Sequence, residues 1–146
     1  MPSIWQHTPN LDQLNQTTHT LLGTIGIEFI EIGDNFIRAR MPVDERTHQP
    51  FGILHGGASV ALAETLGSTG AFHCIDPAHF QAVGIEVNAN HVRSVHSGWV
   101  IGTTKPIHRG RTTQLWEIRI TDEADKLVCI ARITIAILEK TPTATP

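Results

Sequence analysis

The chain has 146 residues, a length that fits one domain and can bury a hydrophobic core without disulfides or metals. Its formal net charge of −3, from 11 Lys and Arg against 14 Asp and Glu, argues against nucleic acid as a general partner. The N-terminus lacks the basic region and apolar run of a signal peptide, and Cys74 and Cys129 have no metal-binding or redox spacing, so we expect reduced core cysteines in a cytoplasmic protein with no membrane span.

The first 25 residues predict an arm and a short helix that precede the main domain. The arm has no periodic pattern, and its Ile4 and Trp5 are available to pack against the rest of the chain. Asn10 can cap a helix over about residues 11–19, and the glycines of residues 23–26 are expected to break that pattern.

Two strand-like runs, residues 27–32 and 36–41, predict a β-hairpin. The segment between them, Gly33-Asp34-Asn35, is typical of a hairpin turn. In the second run polar and apolar residues alternate, as in a half-buried strand, with Arg38 and Arg40 on the side that faces away from the core.

Residues 49–71 predict a turn, a Gly-Gly pair and a long helix that is apolar on nearly every side, as in a helix buried in the middle of a domain. Many of its residues are small, so backbone or a ligand can approach closely, and Gly67 and Gly70 are expected to serve packing. One carboxylate, Glu64, lies mid-helix. Because a Glu is seldom buried without compensation, Glu64 is the candidate catalytic group; the alternatives are a solvated position or an ion pair with a core Arg.

The predicted helix begins at His55-Gly56-Gly57, where the first N–H groups have no acceptor within the helix. Those donors and the helix dipole suit a developing oxyanion, although paired glycines can also be only a turn. Glu64 lies about 12 Å further along the axis at 1.5 Å per residue. One helix therefore cannot bring both groups to one atom, whereas an antiparallel second copy across a dimer interface could.

Four strand candidates follow the helix, with turn residues between them that suit antiparallel hairpins. In the first of them we expect Ile85 and Val87 on one face and Glu86 and Asn88 on the other, and Pro106 is expected to bend or end the second. The resulting order predicts an α+β domain, an antiparallel sheet with one long helix against its concave face. The four candidates are residues 83–92, 98–108, 112–121 and 127–138.

Nine histidines raise the question of a metal site. His91 and His96 do not have the His-x3-His spacing of a helical site, and no cysteine pair joins them, so no metal site is expected. Four other histidines lie in loops or at helix ends and are expected at the surface: His7, His19, His73 and His79.

Three segments in order, QPFGILHGGASVALAETLGS, VGIEVNANHVRS and KPIHRG, resemble the hotdog-fold acyl-CoA thioesterases, and among them the aryl-CoA branch. The resemblance implies a hotdog domain over residues 26–138, after the arm and short helix of residues 1–25 and before a disordered tail, residues 139–146. It implies hydrolysis of an acyl-CoA with an aromatic acyl group, of naphthoyl or benzoyl type, as in menaquinone biosynthesis. It also implies no cofactor and a homo-oligomer, a dimer of dimers with its active site at the subunit interface.

The same resemblance implies a role for five residues. Glu64 matches the catalytic carboxylate, a nucleophile or general base, and the N–H of Gly56 would polarise the thioester carbonyl. Gln49 would orient the thioester or the attacking species. His55 would lie beside the thioester sulfur, and Ser68 would help to hold water. In the family, the carboxylate and the Gln and Gly groups come from different subunits.

The resemblance also implies coenzyme A contacts at one glycine, at the end of one strand and at a basic turn. Arginine geometry suits phosphate oxygens, although Arg93 and Arg109 could also be ordinary solvated strand ends. The implied contacts are Gly84, His91, Val92, Arg93, Ser94, His108, Arg109, Gly110, Arg111, Thr112 and Thr113.

Other functions on the same fold stay open at this point. A hydratase or dehydratase of acyl-CoA would rely on a His/Asp acid–base pair, and Glu64 with Gln49 argues against it. A non-catalytic acyl-CoA-binding module would keep the basic turns but would have no need of Glu64. A proofreading thioesterase would act on acyl groups bound to a carrier protein.

Overall fold

Six strands and three helices make up the described residues, 2–16 and 19–142, of the computed structural model. The helices are α1 (Leu11–Leu14), α2 (Leu21–Ile25) and α3 (Gly56–His73). The strands are β1 (Glu28–Ile32), β2 (Ile37–Pro42), β3 (Phe80–His91), β4 (Trp99–Arg109), β5 (Thr113–Asp122) and β6 (Leu127–Glu139).

The strands form one antiparallel sheet in the order β1-β2-β4-β5-β6-β3, and α3 packs against β2, β3, β4, β5 and β6. The predicted hairpin of β1 and β2, the long central helix and the four following strands are confirmed. β3 is an edge strand, so one side of its backbone has no neighbouring strand within the described residues. The helix N-terminus and the end of β3 therefore lie at the same end of the molecule, where Gly56 is packed against His91.

Strand alternation and close approach of α3 build the core. Trp116, Ile118 and Ile120 on β5 are fully buried, as the alternating pattern predicts. A Cβ on Gly67 would lie 2.3 Å from Ile133 Cγ2, and one on Gly70 would lie 2.6 Å from the Trp116 ring. Since no side chain fits at either glycine, their predicted packing role is confirmed.

The N-terminal arm packs across the far end of the helix. The Trp5 ring stacks on Trp116 with centroids 6.2 Å apart, and its Nε1 donates to the carbonyl of Gly33 at 2.8 Å. The Ile4 N–H donates to the carbonyl of Asp34 at 2.9 Å. The expectation that these two arm residues pack on the domain is confirmed.

The predicted helix over residues 11–19 is wrong in its length, because α1 ends at Leu14. The side chain of Asn15 instead pairs with β1, donating to the Phe29 carbonyl at 2.9 Å and accepting from the Phe29 N–H at 2.8 Å. Residues 17–18 of the prediction lie outside the described residues. The predicted break at residues 23–26 is also wrong at its start, because α2 continues through Gly23 to Ile25 and is capped by Gly26, whose φ of 77° suits glycine.

Two of the strand predictions involve a bulge, and only one of these bulges contradicts a prediction. Of the two alternatives for Pro106, it does not end β4, which continues to Arg109 with a register shift between Pro106 and His108. β3 has a shift between Gly84 and Glu86, so Ile85 leaves the ladder and is 62% exposed rather than sharing an inner face with Val87.

One surface expectation is wrong, because His73 is 8% exposed, beneath the arm. At the start of the predicted tail, Glu139 is the last residue of β6 and the Lys140 N–H donates to the His79 carbonyl at 2.8 Å, so these two residues belong to the sheet and its contacts. Residues 143–146 of that tail lie outside the described residues. No helix in the described ranges has the length and apolar character to cross a membrane.

Candidate active site

The first turn of α3 leaves one backbone donor free. His55 caps the helix, and its Nδ1 accepts the Gly57 N–H at 2.7 Å. The N–H groups of Ala58 and Ser59 donate to the His55 carbonyl. Only the Gly56 N–H in this turn has no acceptor among the described residues. The set of free donors expected from the sequence is therefore reduced to one, and a neutral His55 holds its proton on Nε2.

A cleft of about 390 Å³ opens beside this turn. It gathers Gln49, Gly56, the last residue of β3, His91, and the loop residues 92–94 that follow it, so the structure brings these predicted positions together. Gly56 lies so close to the His91 ring that a Cβ would be 2.9 Å from its Nε2. The cleft is completed by residues that the sequence analysis did not single out: Ile53, Leu54, Ser59 and Val128.

A wider hollow of about 640 Å³ lies on the outer face of the sheet. It contains none of the predicted site residues, and ion pairs such as Arg38–Glu31, at 2.7 Å, line it. We therefore take the smaller cleft at the helix N-terminus as the candidate site.

The loop before α3 fixes Gln49. Its N–H donates to the Ile53 carbonyl at 2.8 Å, and its carbonyl accepts from Gly52, whose φ is 78°. The Gln49 Oε1 accepts the N–H of Phe51, so its side-chain NH₂ is left to donate into the cleft.

Glu64 is half-buried on α3 and makes no hydrogen bond or ion pair among the described residues. The alternative that it pairs with a core Arg therefore has no support in these ranges. A Cβ on Gly84 would lie 2.6 Å from Glu64 Oε1, so the absence of a side chain at this bulge makes room for the carboxylate. Ser68 is half-buried one turn further along, and its hydroxyl has no partner in the same ranges.

A single chain does not bring Glu64 to the helix N-terminus. Gly56 and Glu64 are eight residues apart on one helix, about 12 Å along its axis, as the sequence predicted. The two predicted groups of coenzyme A contacts are also apart. His91 pairs with Cys129 and Thr113 with Ala136 on β6, which are separated by seven residues or about 23 Å of strand.

The predicted basic turn, residues 108–113, closes the β4–β5 hairpin at the other end of the sheet. The Gly110 N–H donates to the Thr113 carbonyl at 2.9 Å, and a guanidinium nitrogen of Arg109 donates to the Ile4 carbonyl at 3.4 Å. A second cleft of about 320 Å³ beside the turn also contains Cys74, a half-buried thiol whose pKa is raised by burial against the opposing effect of Arg109. The sequence shows no local pattern that would join Cys74 to this turn.

Comparison with known proteins decides the family. The profile of the Thioesterase superfamily matches residues 51–129. The chain belongs to this superfamily. A thioesterase of the superfamily from Escherichia coli, 1,4-dihydroxy-2-naphthoyl-CoA hydrolase, is 48% identical over 136 residues, which cover 92% of this chain and 99% of that protein.

Two further proteins similar to this chain support its assignment to the superfamily. The proofreading thioesterase EntH of Cronobacter turicensis is 46% identical over 142 residues, covering 92% of this chain and 98% of that protein. The crystal structure of a mutant of thioesterase PA1618 from Pseudomonas aeruginosa superposes with a TM-score of 0.92 at 47% identity, covering 94% of this chain and 100% of that one. The predicted hotdog fold and thioesterase class are confirmed.

Proposed function

We propose that this thioesterase hydrolyses an acyl-CoA that carries an aromatic acyl group. Water adds to the thioester, the C–S bond breaks, and the products are the free acid and the thiol of coenzyme A. The observation that carries the proposal is Glu64, a half-buried carboxylate without a partner in the described residues, held in a space that Gly84 leaves open. The 48% identity to a 1,4-dihydroxy-2-naphthoyl-CoA hydrolase supports the aromatic acyl group.

The chemistry needs an activated attacking group and a stabilised oxyanion, because a thiolate is already a good leaving group. Glu64 attacks the carbonyl or takes the proton of the attacking water, and Ser68 holds that water. The Gly56 N–H donates to the thioester oxygen as negative charge develops there. Gln49 orients the thioester through its free NH₂, and His55 lies beside the sulfur with its proton on Nε2.

A second copy of the chain completes this site. Within one chain Gly84 lies against Glu64, and His91 lies against Gly56. A two-fold axis that brings Gly56 of a second copy beside Glu64 therefore also brings His91 of that copy beside Gly84. The two contacts are compatible because both follow from one antiparallel pairing of the edge strand β3 with its own copy, centred at the midpoint of residues 84 and 91.

The exposed part of β3 supports this pairing. Val83 is 40% exposed and Ile85 is 62% exposed, and the free backbone groups of an edge strand are a template for another strand. The face of α3 that carries Glu64 and Ser68 also carries Ala61, so a second helix can approach closely. We assign a homodimer as the minimal active unit, and a dimer of dimers as the full assembly.

The same two-fold arrangement joins the two groups of coenzyme A contacts. The loop after β3 in one copy, with Arg93 and Ser94, would lie beside the first residues of β3 in the other. The basic turn, residues 108–113, is two strands from β3 through β6 and β5, or about 10 Å. Phosphate groups of one coenzyme A could then reach Arg93 of one copy and Arg109 of the other.

The test is thiol release from a panel of benzoyl-, naphthoyl- and straight-chain acyl-CoAs, with wild type and Glu64→Gln side by side. We expect the aryl-CoAs to turn over fastest and Glu64→Gln to lose about 10³-fold or more in kcat, since the group that forms the attacking species is removed. Glu139→Gln, an exposed carboxylate at the end of β6, is the control and keeps full activity.

Other results would point elsewhere. Tight acyl-CoA binding with no turnover in wild type would favour a binding module. Release of acid from an acyl carrier protein but from no CoA ester would favour the activity named for EntH of Cronobacter turicensis. Thiol release by Glu64→Gln at the wild-type rate would remove Glu64 from the mechanism.

A further inference from the structure

The four hydroxyl side chains of α3 fall into two pairs. Thr65 donates to the Ala61 carbonyl and Thr69 to the Thr65 carbonyl, both at 2.7 Å, the usual bond from a helical hydroxyl to its own backbone. Ser59 and Ser68 make no such bond, nor any other side-chain hydrogen bond, within residues 2–16 and 19–142. The helix therefore keeps two hydroxyls available, and Ser68 is already assigned to the water beside Glu64.

Ser59 is the less expected of the two, because it is only 1% exposed. Within these ranges no fully enclosed side-chain oxygen or nitrogen lacks a hydrogen-bond partner, so the unbonded Ser59 hydroxyl keeps a small accessible area at which water or a ligand can meet it. Ser59 lines the cleft beside α3 together with Gly56 and Gln49. The hydroxyl of Ser59 is therefore available to the space assigned to the thioester.

The position of Ser59 on the helix aligns it with the oxyanion donor. Helical side chains lean toward the helix N-terminus, and residues three apart share a face, so the Ser59 side chain lies over the turn that begins at Gly56. That turn has lost its second backbone donor, since the His55 ring accepts the Gly57 N–H. The oxyanion thus has one backbone N–H and, one turn further along, one free hydroxyl.

We propose that Ser59 donates a second hydrogen bond to the thioester oxygen, alongside the Gly56 N–H, as that oxygen gains negative charge. Ser59 keeps its proton throughout, so no bond to it forms or breaks. The inference rests on the proposed function, because it assigns Ser59 to the oxyanion of the same reaction.

Ser59→Ala and Thr69→Ala, assayed with the best aryl-CoA from the panel, test this assignment. A donor that acts on the developing charge contributes mainly in the transition state, so Ser59→Ala is expected to lower kcat by about 10- to 100-fold with KM changed by less than about 2-fold. Thr69→Ala is the matched control, because its hydroxyl is bonded to the helix backbone, and it keeps the wild-type kcat. Ser59→Cys preserves the side-chain size with a weak donor and is expected to lose activity as well.

A spectroscopic measurement separates this role from a structural one. The probe is phenacyl-CoA, in which a methylene between sulfur and carbonyl prevents hydrolysis. When the probe binds to wild type, we expect its carbonyl stretching band to shift to lower wavenumber than in solution. The shift should be smaller on Ser59→Ala, and on Thr69→Ala it should equal the shift on wild type. Since Ser59→Ala breaks no hydrogen bond within the described chain, its midpoint of urea unfolding should match wild type.

Two outcomes would overturn the assignment of Ser59. Wild-type kcat in Ser59→Ala, together with loss of activity in Glu64→Gln, would remove Ser59 from the oxyanion site and leave the proposed function standing. A rise in KM alone, with no change in the carbonyl band, would make Ser59 a ground-state contact. By contrast, no turnover of any aryl-CoA by wild type would be a failure of the proposed function itself.

Discussion

The two ends of α3 contrast in how their polar groups are satisfied. At the first turn the Gly56 N–H and the Ser59 hydroxyl have no partner among the described residues, and a cleft opens beside them. At the last turn the His73 carbonyl accepts the N–H groups of Gln6 and His7, at 2.8 and 3.3 Å, and Nδ1 of His73 lies 2.9 Å from the Thr69 carbonyl. We call the first turn with its cleft the open end, and the last turn with the arm the closed end.

This difference in hydrogen bonding indicates that the two ends of α3 serve different functions. Groups without partners are costly in a finished fold, so their concentration at the open end indicates binding and catalysis. Satisfied groups and tight packing at the closed end indicate stability. A change at the open end should therefore reduce activity and spare stability, and a change at the closed end should do the reverse.

Among the changes that test this contrast, the largest effect is expected for Gly84→Ala, on β3 beside the middle of α3. The new Cβ would lie 2.6 Å from Glu64 Oε1 and would displace the carboxylate. A displacement of about 1 Å at a reacting group can reduce the rate by about 100-fold, so we expect a fall in kcat of that order. Steady-state kinetics measure it, and sedimentation checks that the oligomer is retained. An unchanged kcat in an intact oligomer would contradict the assigned position of Glu64.

A loss of stability is expected for Gly67→Ala, on the closed side of Glu64. Its Cβ would lie 2.3 Å from Ile133 Cγ2, and overpacking of this kind costs about 1–3 kcal/mol of the free energy of unfolding. The double variant Gly67→Ala/Ile133→Ala should lose less than the sum of the single changes, because the colliding methyl is gone. Urea unfolding measures both. A large fall in kcat of the folded single variant would break the division between the two ends.

The sequence predicts the main elements because their patterns are local. The alternation of apolar and polar residues that places Ile118 and Ile120 in the core is visible in a short stretch of sequence. The helix around Glu64 is visible in the same way, because it is richer in small and apolar residues than the segments beside it. The resemblance adds the positions that line the cleft, such as Gln49 and Gly56, and the structure brings these together.

The rest depends on contacts between residues far apart in the chain. Asn15 ends α1 because it bonds to Phe29, fourteen residues away, and no local pattern contains that partner. The bulge at Ile85 lies beside Glu64 of α3, a contact between residues about twenty positions apart that no local pattern contains. Ser59 was missed because its importance lies in an absent bond, which becomes visible only when every neighbour is placed.

Arg109→Ala tests whether the closed end is purely structural. Arg109 is exposed there, and its contact with the arm is a single hydrogen bond to the Ile4 carbonyl at 3.4 Å. If it binds a phosphate of coenzyme A, its loss removes about 1.5–3 kcal/mol of a charge-assisted bond, and KM for acyl-CoA should rise by about 10-fold or more with kcat retained. The same acyl group on pantetheine, which lacks the phosphates, is the control and should show no change. An unchanged KM for acyl-CoA would make this arginine an ordinary solvated residue.

The smallest effect is expected for the pH dependence of stability at His73. Burial lowers the pKa of His73, against the opposing hydrogen bond to the Thr69 carbonyl, and the nearby His7 lowers it further. The unfolded chain therefore binds this proton more readily than the folded chain, so folding stability is complete above the ordinary pKa of 6.5 and falls as the pH drops below it.

Urea unfolding at pH 7.5 and pH 5.5 measures the loss of folding stability between the two pH values. The loss should be smaller in His73→Gln than in wild type. Asp44 and Asp76 do not interfere in this range, because hydrogen bonds from Arg46 and His79 respectively hold their pKa values below 3.8. His96→Gln, at an exposed histidine, is the control and should keep the wild-type dependence. An identical dependence in His73→Gln would mean that the closed end tolerates a charge beneath the arm, and the contrast between the two ends would then lie in packing alone.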